Sequence, residues 1–231
     1  MILKRLFSIC AAAALAATLM CAGANELYEL YKQRPRPYFG ARLSASYAHP
    51  SNVKYARVPL SSAATGFDVA LSGLFHAPFT YKPFYVEPQV EVYFNSLKTS
   101  GQLSERVTEA GITKATLKTI GFRVPIYFGW EKPLSESTRF SVFVGPEFDF
   151  RLKTDFNPDK ETIIFKGTTK DPLYGDYGVD LDIRGGLGYS FGSYYIGATY
   201  AWKICKITRS DYGAKRQRMI SVTFGYNFKP L

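Results

Sequence analysis

Acidic residues recur at short, even spacings along this 231-residue chain. Glu87 and Glu91 form one such pair, and Asp180 and Asp182 form another. Residues i, i+2 and i+4 of a β-strand share a face, so each pair could divide acid and base roles between two carboxyl groups. The competing interpretation, which we prefer, is that these carboxylates pair with arginines inside the fold and rigidify it.

The two histidines of the chain offer a second possible centre. His49, Pro50 and Ser51 place a histidine two residues from a serine, a pair that a lipid A-modifying enzyme could use. The sequence assigns no acidic partner to this pair, however, and His76 is expected at a turn. We also find no cysteine–histidine cluster with zinc spacing, no phosphate-binding glycine loop and no calcium loop. The sequence therefore predicts no enzyme, no catalytic residue, no metal and no cofactor.

The elements that must position these residues are eight segments in which apolar and polar residues alternate. A period of two predicts strands with one apolar face. The connections between them run long, short, long, short, long, short, long, an order that is typical of an up-and-down meander. The sequence thus predicts an all-β fold, an eight-stranded antiparallel up-and-down barrel. The eight segments are residues 38–48, 65–75, 84–97, 115–130, 139–153, 176–191, 194–207 and 217–229.

The polar faces of these segments carry charges of both signs together with several glycines. Such a set can pair across a narrow lumen and leaves the apolar faces outside, as in a transmembrane barrel. A soluble lipocalin-like barrel would turn the apolar faces inward instead. Lys153 also falls on the polar face by this alternation. The predicted inward charge network consists of Arg42, Asp68, Glu87, Glu91, Arg123, Glu147, Asp149, Arg151, Asp180, Asp182, Arg184 and Lys203.

Aromatic residues cluster at the strand ends that adjoin the short connections. A ring of this kind is typical of the girdle at one membrane interface. It predicts a transmembrane barrel with short periplasmic turns, four long extracellular loops and both termini in the periplasm. The predicted girdle consists of Phe39, Phe75, Phe84, Phe128, Trp130, Phe140, Tyr189, Phe191, Tyr194, Tyr195, Tyr226 and Phe228.

The first residues resemble a secretory signal peptide. Lys4 and Arg5 precede an apolar run over residues 6–19, and small residues end at Ala24. We predict a cleaved signal peptide (1–24) with Asn25 as the first mature residue, a periplasmic lead-in (25–36) and a barrel domain (37–231). An uncleaved anchor and a lipoprotein acylated at Cys21 are the alternatives.

Four stretches resemble the PorT-type outer-membrane β-barrel family: FYVEPQVEVYF (84–94), IGFRVPIYFGW (120–130), FSVFVGPEFDF (140–150) and DYGVDLDIRGGLGYSFG (176–192). The resemblance covers most of the chain after the signal peptide and consists of fold patterns, so it implies no catalytic residue. It implies a small outer-membrane barrel, and through PorT itself an association with protein secretion. Asp180, Asp182 and Arg184 carry more charge than the glycine-rich strand of the family.

Taken together, these patterns predict a small barrel in the outer membrane of a Gram-negative bacterium with a structural or interaction role, supporting protein secretion or envelope assembly. A narrow transport pore is the second hypothesis, because the side chains of an eight-stranded barrel fill its interior. A lipid A-modifying enzyme is third and a soluble ligand carrier fourth. Lipopolysaccharide phosphates are the expected counter-charges for the basic connections, and the compartment excludes nucleic acid. Those basic residues are Lys54, Arg57, Arg106, Lys114, Lys160, Lys166, Lys170, Arg209, Lys215 and Arg216.

Overall fold

A computed structural model describes residues 36–55, 58–79, 83–99, 102–109, 112–135, 137–158, 178–207, 213–216 and 218–228. The predicted signal peptide with its cleavage between Ala24 and Asn25, and all of the lead-in before residue 36, lie outside the described residues. The secondary structure of the described part is β1 (Tyr38–Ala48), β2 (Ser51–Tyr55), β3 (Val58–Pro78), β4 (Phe84–Thr99), α1 (Glu105–Glu109), β5 (Ala115–Pro133), β6 (Thr138–Pro158), β7 (Gly178–Phe191), β8 (Tyr194–Lys206), β9 (Gly213–Arg216) and β10 (Arg218–Asn227).

The strands form one closed antiparallel sheet. Its order is β1-β10-β8-β7-β6-β5-β4-β3, and β1 pairs back onto β3 and closes the ring. The short strands β2 and β9 pair with each other and continue the wall beyond β1 and β10. The predicted all-β, eight-stranded antiparallel barrel is therefore confirmed. Within the described ranges, no helix is long and apolar enough to cross a membrane.

The two ends of the barrel differ in their connections. One end, here called the turn end, carries the connections β3–β4, β5–β6 and β7–β8. The first residue of β1 and the last residue of β10 lie at the same end. The opposite end is called the loop end. There the predicted connections contain further strands: 49–64 contains β2 and part of β3, and 208–216 contains β9. The connection 98–114 contains the helix α1. The exposed side chains described in β2 and at the start of β3, Asn52 and Ser62, are polar, so a polar and an apolar face can no longer be told apart there.

The two faces of the wall have inverted polarity compared with a water-soluble protein. Leu71 is 62 % exposed on the outside, whereas Glu147 is fully buried. The same division holds around the ring, with large apolar side chains outside and charged side chains inside. Because soluble barrels place apolar residues inside, the lipocalin-like arrangement is wrong for this chain.

Two β-bulges correct the predicted facing of individual residues. Ile120 pairs with Lys153 but Gly121 pairs with Arg151, so β6 has one extra residue at this point. A bulge reverses the phase of the residues beyond it, and Lys153 consequently lies outside and exposed. A similar shift in β8 turns Cys205, which the alternation places inside, to the outer surface.

The predicted aromatic girdle needs one correction. Its members Phe39, Phe84, Phe128, Tyr189, Phe191, Tyr194, Tyr226 and Phe228 are exposed on the outer face. Tyr195 instead points into the lumen, where its ring centroid lies 4.1 Å from the guanidinium carbon of Arg42. The alternation explains the difference, since Tyr194 and Tyr195 are consecutive in β8 and must face opposite sides.

Candidate functional site

The centre of the lumen is a network of ion pairs around two arginines. Arg123 on β5 donates hydrogen bonds to both carboxylate oxygens of Asp68, at 3.1 and 2.5 Å, and to Oε1 of Glu91 at 2.7 Å. Arg184 on β7 donates to Oε2 of Glu91 at 3.0 Å and to Oε1 of Glu147 at 3.0 Å. Glu91 therefore joins the two guanidinium groups.

The strand register explains how these side chains meet. Glu91 lies directly opposite Arg123 across the β4–β5 ladder. Arg123 in turn lies opposite Asp149 on β6, and its Nε is 3.9 Å from the carboxylate of that residue. Asp68 and Arg184 reach the network from β3 and β7, so the ion pairs connect five consecutive strands. Long side chains that bridge non-adjacent strands fill the interior of the barrel as well as pairing charges.

A second layer of charge lies toward the loop end. Asp180 on β7 pairs with Arg151 at 3.1 Å and also with Lys203. Asp182 lies opposite Lys203 across the β7–β8 ladder and is buried. The hydroxyl of Tyr93 donates a hydrogen bond to Asp149 at 2.7 Å, and Asp149 lies opposite Asp180 across the β6–β7 ladder.

A third layer toward the turn end is built around a histidine. His76 Nδ1 lies 2.8 Å from Oε2 of Glu87. Its ring stacks on the ring of Tyr38 at a centroid distance of 4.5 Å and makes a tilted contact with the ring of Tyr85 at 4.4 Å. Its Nε2 is 3.8 Å from Glu131. The sequence analysis places His76 at a turn and therefore does not predict this group, whereas in the structure His76 lies within β3. Extending the alternation from Asp68 by even steps would have placed this histidine on the inner face.

Arg42 completes the turn-end layer. Its Nη2 donates a hydrogen bond to Oδ1 of Asn227 at 2.6 Å, and its guanidinium lies over the ring of Tyr195. Gln89 Nε2 donates to Oε1 of Glu87 at 2.8 Å. With these contacts, all twelve residues of the predicted charge network lie inside the barrel, each no more than 9 % exposed.

Apolar side chains fill the lumen beyond the charged layers. At the loop end, Ala48, Leu97, Ala201 and Met219 pack together from four strands, with Leu97 on β4 and Ala201 on the opposite wall. At the turn end, Tyr85, Tyr127 and Phe143 form a second cluster. A cavity of about 20 Å³ lies between the layers, lined by Arg42, Ser44, Gln89, Glu91, Tyr127, Phe143, Arg184, Tyr195, Thr199 and Thr223. That volume holds about one water molecule.

The chemistry of the site favours a structural role for the paired carboxylates. Glu87 is held by His76 and Gln89, and Glu91 by two arginines. Groups fixed in this way stabilise the wall. Within the described ranges, no group of three or more His, Cys, Asp and Glu residues is arranged to hold a metal ion. His49 lies exposed beyond the end of β1.

The predicted basic loop residues are only partly visible. Lys114 is exposed immediately before β5. The side chains of the other nine lie outside the described part of the chain.

The chain is similar in fold to several solved outer-membrane proteins. It matches Ail, the attachment invasion locus protein of Yersinia pestis, in complex with the heparin analogue sucrose octasulfate, with a TM-score of 0.39 and 10% identity over 84% of this chain and 100% of that chain. OprG of Pseudomonas aeruginosa matches with a TM-score of 0.41 and 14% identity over 84% and 96%. The N-terminal β-barrel domain of Pseudomonas aeruginosa OprF matches with a TM-score of 0.31 and 13% identity over 82% and 97%. Neither a family model nor a curated protein matches the sequence. The fold described above rests on the strand pairing, and these low similarities carry no argument about function.

Proposed function

We propose that this chain is an integral barrel of a Gram-negative outer membrane that is closed to solutes and acts as a structural or interaction protein. The observation that carries the proposal is the inverted polarity of the wall. Large exposed apolar side chains number 32 among the described residues, while 26 polar or charged residues are buried. In water, an apolar surface that surrounds the whole molecule would drive aggregation, whereas in a bilayer it lies against acyl chains.

The length of the strands supports membrane insertion. A tilted strand needs about 9–11 residues to cross a bilayer, and β3 and β6 each have 21. The excess projects at the loop end, where polar residues replace the apolar ones. We place this end outside the cell and the turn end in the periplasm, with both termini in the periplasm.

The aromatic residues of the turn end also support membrane insertion. Tyr189, Phe191, Tyr194, Tyr226 and Phe228 form a chain of ring contacts with centroid distances of 5.6–6.2 Å. Aromatic residues are enriched at the membrane–water boundary, where the three tyrosines can also hold their hydroxyl groups toward water. These rings form one edge of the belt of exposed apolar residues on the outer wall. We assign this apolar belt to contact with lipid.

The packed lumen argues for a closed barrel over the narrow pore. Ion pairs, stacked rings and two apolar clusters occupy the interior, so a solute would have to break buried charge pairs to pass. The surfaces left for function are the loop-end connections and the outer wall. Support for protein secretion or envelope assembly, the role that the PorT resemblance suggests, would then proceed through contacts at these surfaces.

Site-directed labelling in intact cells tests the placement. Cys205 is the one cysteine that remains after the predicted signal peptide, so it is first replaced by serine. A membrane-impermeant maleimide should then label Lys114→Cys in intact cells. It should label Leu134→Cys, between β5 and β6, only after the outer membrane is permeabilised. Labelling in the opposite order would overturn the orientation, and recovery of the protein in the soluble periplasmic fraction would overturn the membrane assignment.

Crosslinking tests the interaction role. A photoreactive residue at position 114 should capture an envelope or secretion protein in intact outer membranes, and the same residue at position 71, inside the apolar belt, serves as the control. If positions 114 and 71 both captured only lipid and no protein, the result would contradict an interaction role for the loop end.

A further inference from the structure

The outer wall of β4, β5 and β6 changes from apolar to cationic near the loop end. Phe94, Ile120 and Leu152 are exposed on the three strands at 44–46 % and mark the edge of the apolar belt. Just beyond them toward the loop end lie the exposed lysines Lys98, Lys118 and Lys153, one on each strand. We call these three residues the lysine row.

The strand register fixes the arrangement of the lysine row. Lys98 on β4 pairs with Thr116 on β5, and Lys118 lies two residues further along β5. Lys153 on β6 pairs with Ile120, which again lies two residues further along β5 than Lys118. The three lysines therefore form a diagonal across the three strands. Diagonal neighbours of this kind have Cβ atoms about 7–8 Å apart. Three ammonium groups on flexible stems can therefore converge on the oxygens of one or two phosphate groups.

The bulge in β6 is what brings the third lysine into the row. Without the extra residue at Leu152, regular alternation would turn Lys153 into the lumen together with Arg151. The bulge instead exposes Leu152 and Lys153 side by side on the outside. One strand thereby presents an acyl-chain contact and a cation next to each other.

The charge of this wall is positive even after its described acidic neighbour is counted. Asp155 lies opposite Lys118 and pairs with Lys153 at 3.1 Å, but both partners are more than half exposed. Exposed pairs of this kind are weak and exchange readily for a competing anion. The opposite wall differs, because Trp202 and Ile204 on β8 and Ile207 directly after it are exposed apolar residues.

We propose that the lysine row binds the phosphate groups of an acylated, phosphorylated glycolipid of the outer leaflet, whose acyl chains lie on Phe94, Ile120 and Leu152. The proposal rests on the membrane placement proposed above and names a lipid site within it. Lysine ammonium groups bind phosphate as point charges, and basic residues at a membrane surface each add to the binding of anionic lipid. The adjoining apolar residues select a lipid over a free anion.

Binding of bisphosphorylated lipid A by the full mature protein in detergent micelles tests the site. The lysine-row variant carries Lys98→Gln, Lys118→Gln and Lys153→Gln. The matched control carries Arg36→Gln, Lys132→Gln and Arg218→Gln, which removes the same number of charges elsewhere. Native mass spectrometry should show lipid A binding weakened about tenfold or more in the lysine-row variant and changed by less than about twofold in the control.

Three further measurements show which features of the protein and of the lipid determine lipid A binding. Replacing the three lysines by arginine should retain binding, which shows that charge matters and that the wall is intact. Dephosphorylated lipid A should bind wild type about tenfold more weakly, and inorganic phosphate at the same concentration should not compete. Undiminished binding by the lysine-row variant, equal loss in the control, loss in the arginine variant or equal binding of dephosphorylated lipid would each overturn the proposal. Competition by inorganic phosphate would overturn the lipid assignment.

The two proposals fail separately. A protein that is labelled as expected in intact cells but binds lipid A equally well without the lysine row keeps the proposed placement and loses this site. Recovery in the soluble periplasm would remove the placement itself.

Discussion

Glu91 on β4 and Arg184 on β7 are joined across the lumen at 3.0 Å, although two strands lie between them in the wall. The same carboxylate also accepts a hydrogen bond from Arg123. One side chain thereby connects the two arginines at the centre of the barrel. Since Glu91 is almost fully buried, its charge is shielded from bulk water and depends on these partners.

Removing this carboxylate should strongly destabilise the barrel. In Glu91→Ala, two buried guanidinium groups lose a shared partner, and breaking a buried ion pair costs about 3–5 kcal/mol. Denaturant unfolding in lipid vesicles, followed by tryptophan fluorescence, should show a loss of this size. Asp155→Asn breaks an exposed pair and should change stability by less than about 1 kcal/mol. Equal effects of the two variants would contradict a central role for the network.

The two histidines should differ sharply in their contribution to stability. His76→Ala removes two aromatic ring contacts and leaves Glu87 without its imidazole partner, and should cost about 2–4 kcal/mol. His49→Ala alters an exposed side chain and should stay within about 0.5 kcal/mol of wild type. Thermal or denaturant unfolding of the two variants in the same detergent measures the difference. A neutral His76→Ala would show that the turn-end layer carries no stability.

A methyl group should be tolerated on one face of the wall and not on the other. Gly129 lies opposite Tyr85 in the β4–β5 ladder, and a Cβ at this position would overlap the tyrosine ring. Overpacking in Gly129→Ala should cost about 1–3 kcal/mol. Gly73 has open space where a Cβ would be, so Gly73→Ala is the matched control and should be close to neutral. Heat-modifiable migration on gels, compared as a function of temperature, distinguishes the two variants.

Charge on the outer face should be penalised only inside the apolar belt. Leu71→Arg places a guanidinium on the proposed lipid-facing surface and should cost about 2–4 kcal/mol in vesicles. Leu134→Arg makes the same change at an exposed position between β5 and β6, outside the belt, and should have little effect. A harmless Leu71→Arg would argue that this face meets water.

The alternation of side chains is sufficient to predict the ring of strands, because a period of two and the order of long and short connections are local properties of the chain. For β1 the predicted bounds are those observed. The inward side of Arg42, Glu91, Arg123 and Arg184 follows from the same pattern. The partners of each charge do not, since Arg184 meets Glu91 through closure of the barrel and not through any spacing in the sequence.

The bulges and the loop-end extensions could not be read from the same pattern. A bulge adds one residue without a distinctive composition, so Lys153 and Cys205 were assigned to the wrong face. Beyond the apolar belt, the exposed side chains described there, Asn52 on β2 and Ser62 on β3, are polar, and alternation no longer marks a strand. The lysine row depends on the bulge in β6, so alternation alone cannot predict it.

The closed lumen is the central claim, and ion conductance measures it most directly. The full mature protein is reconstituted in planar bilayers, with heat-modifiable migration as proof of folding and an open general porin in the same chamber as a positive control. We predict no stepwise current above that of the bare bilayer, because charge pairs and apolar clusters fill the interior. Stable unitary conductance steps from the wild-type protein would contradict the account and support the narrow pore.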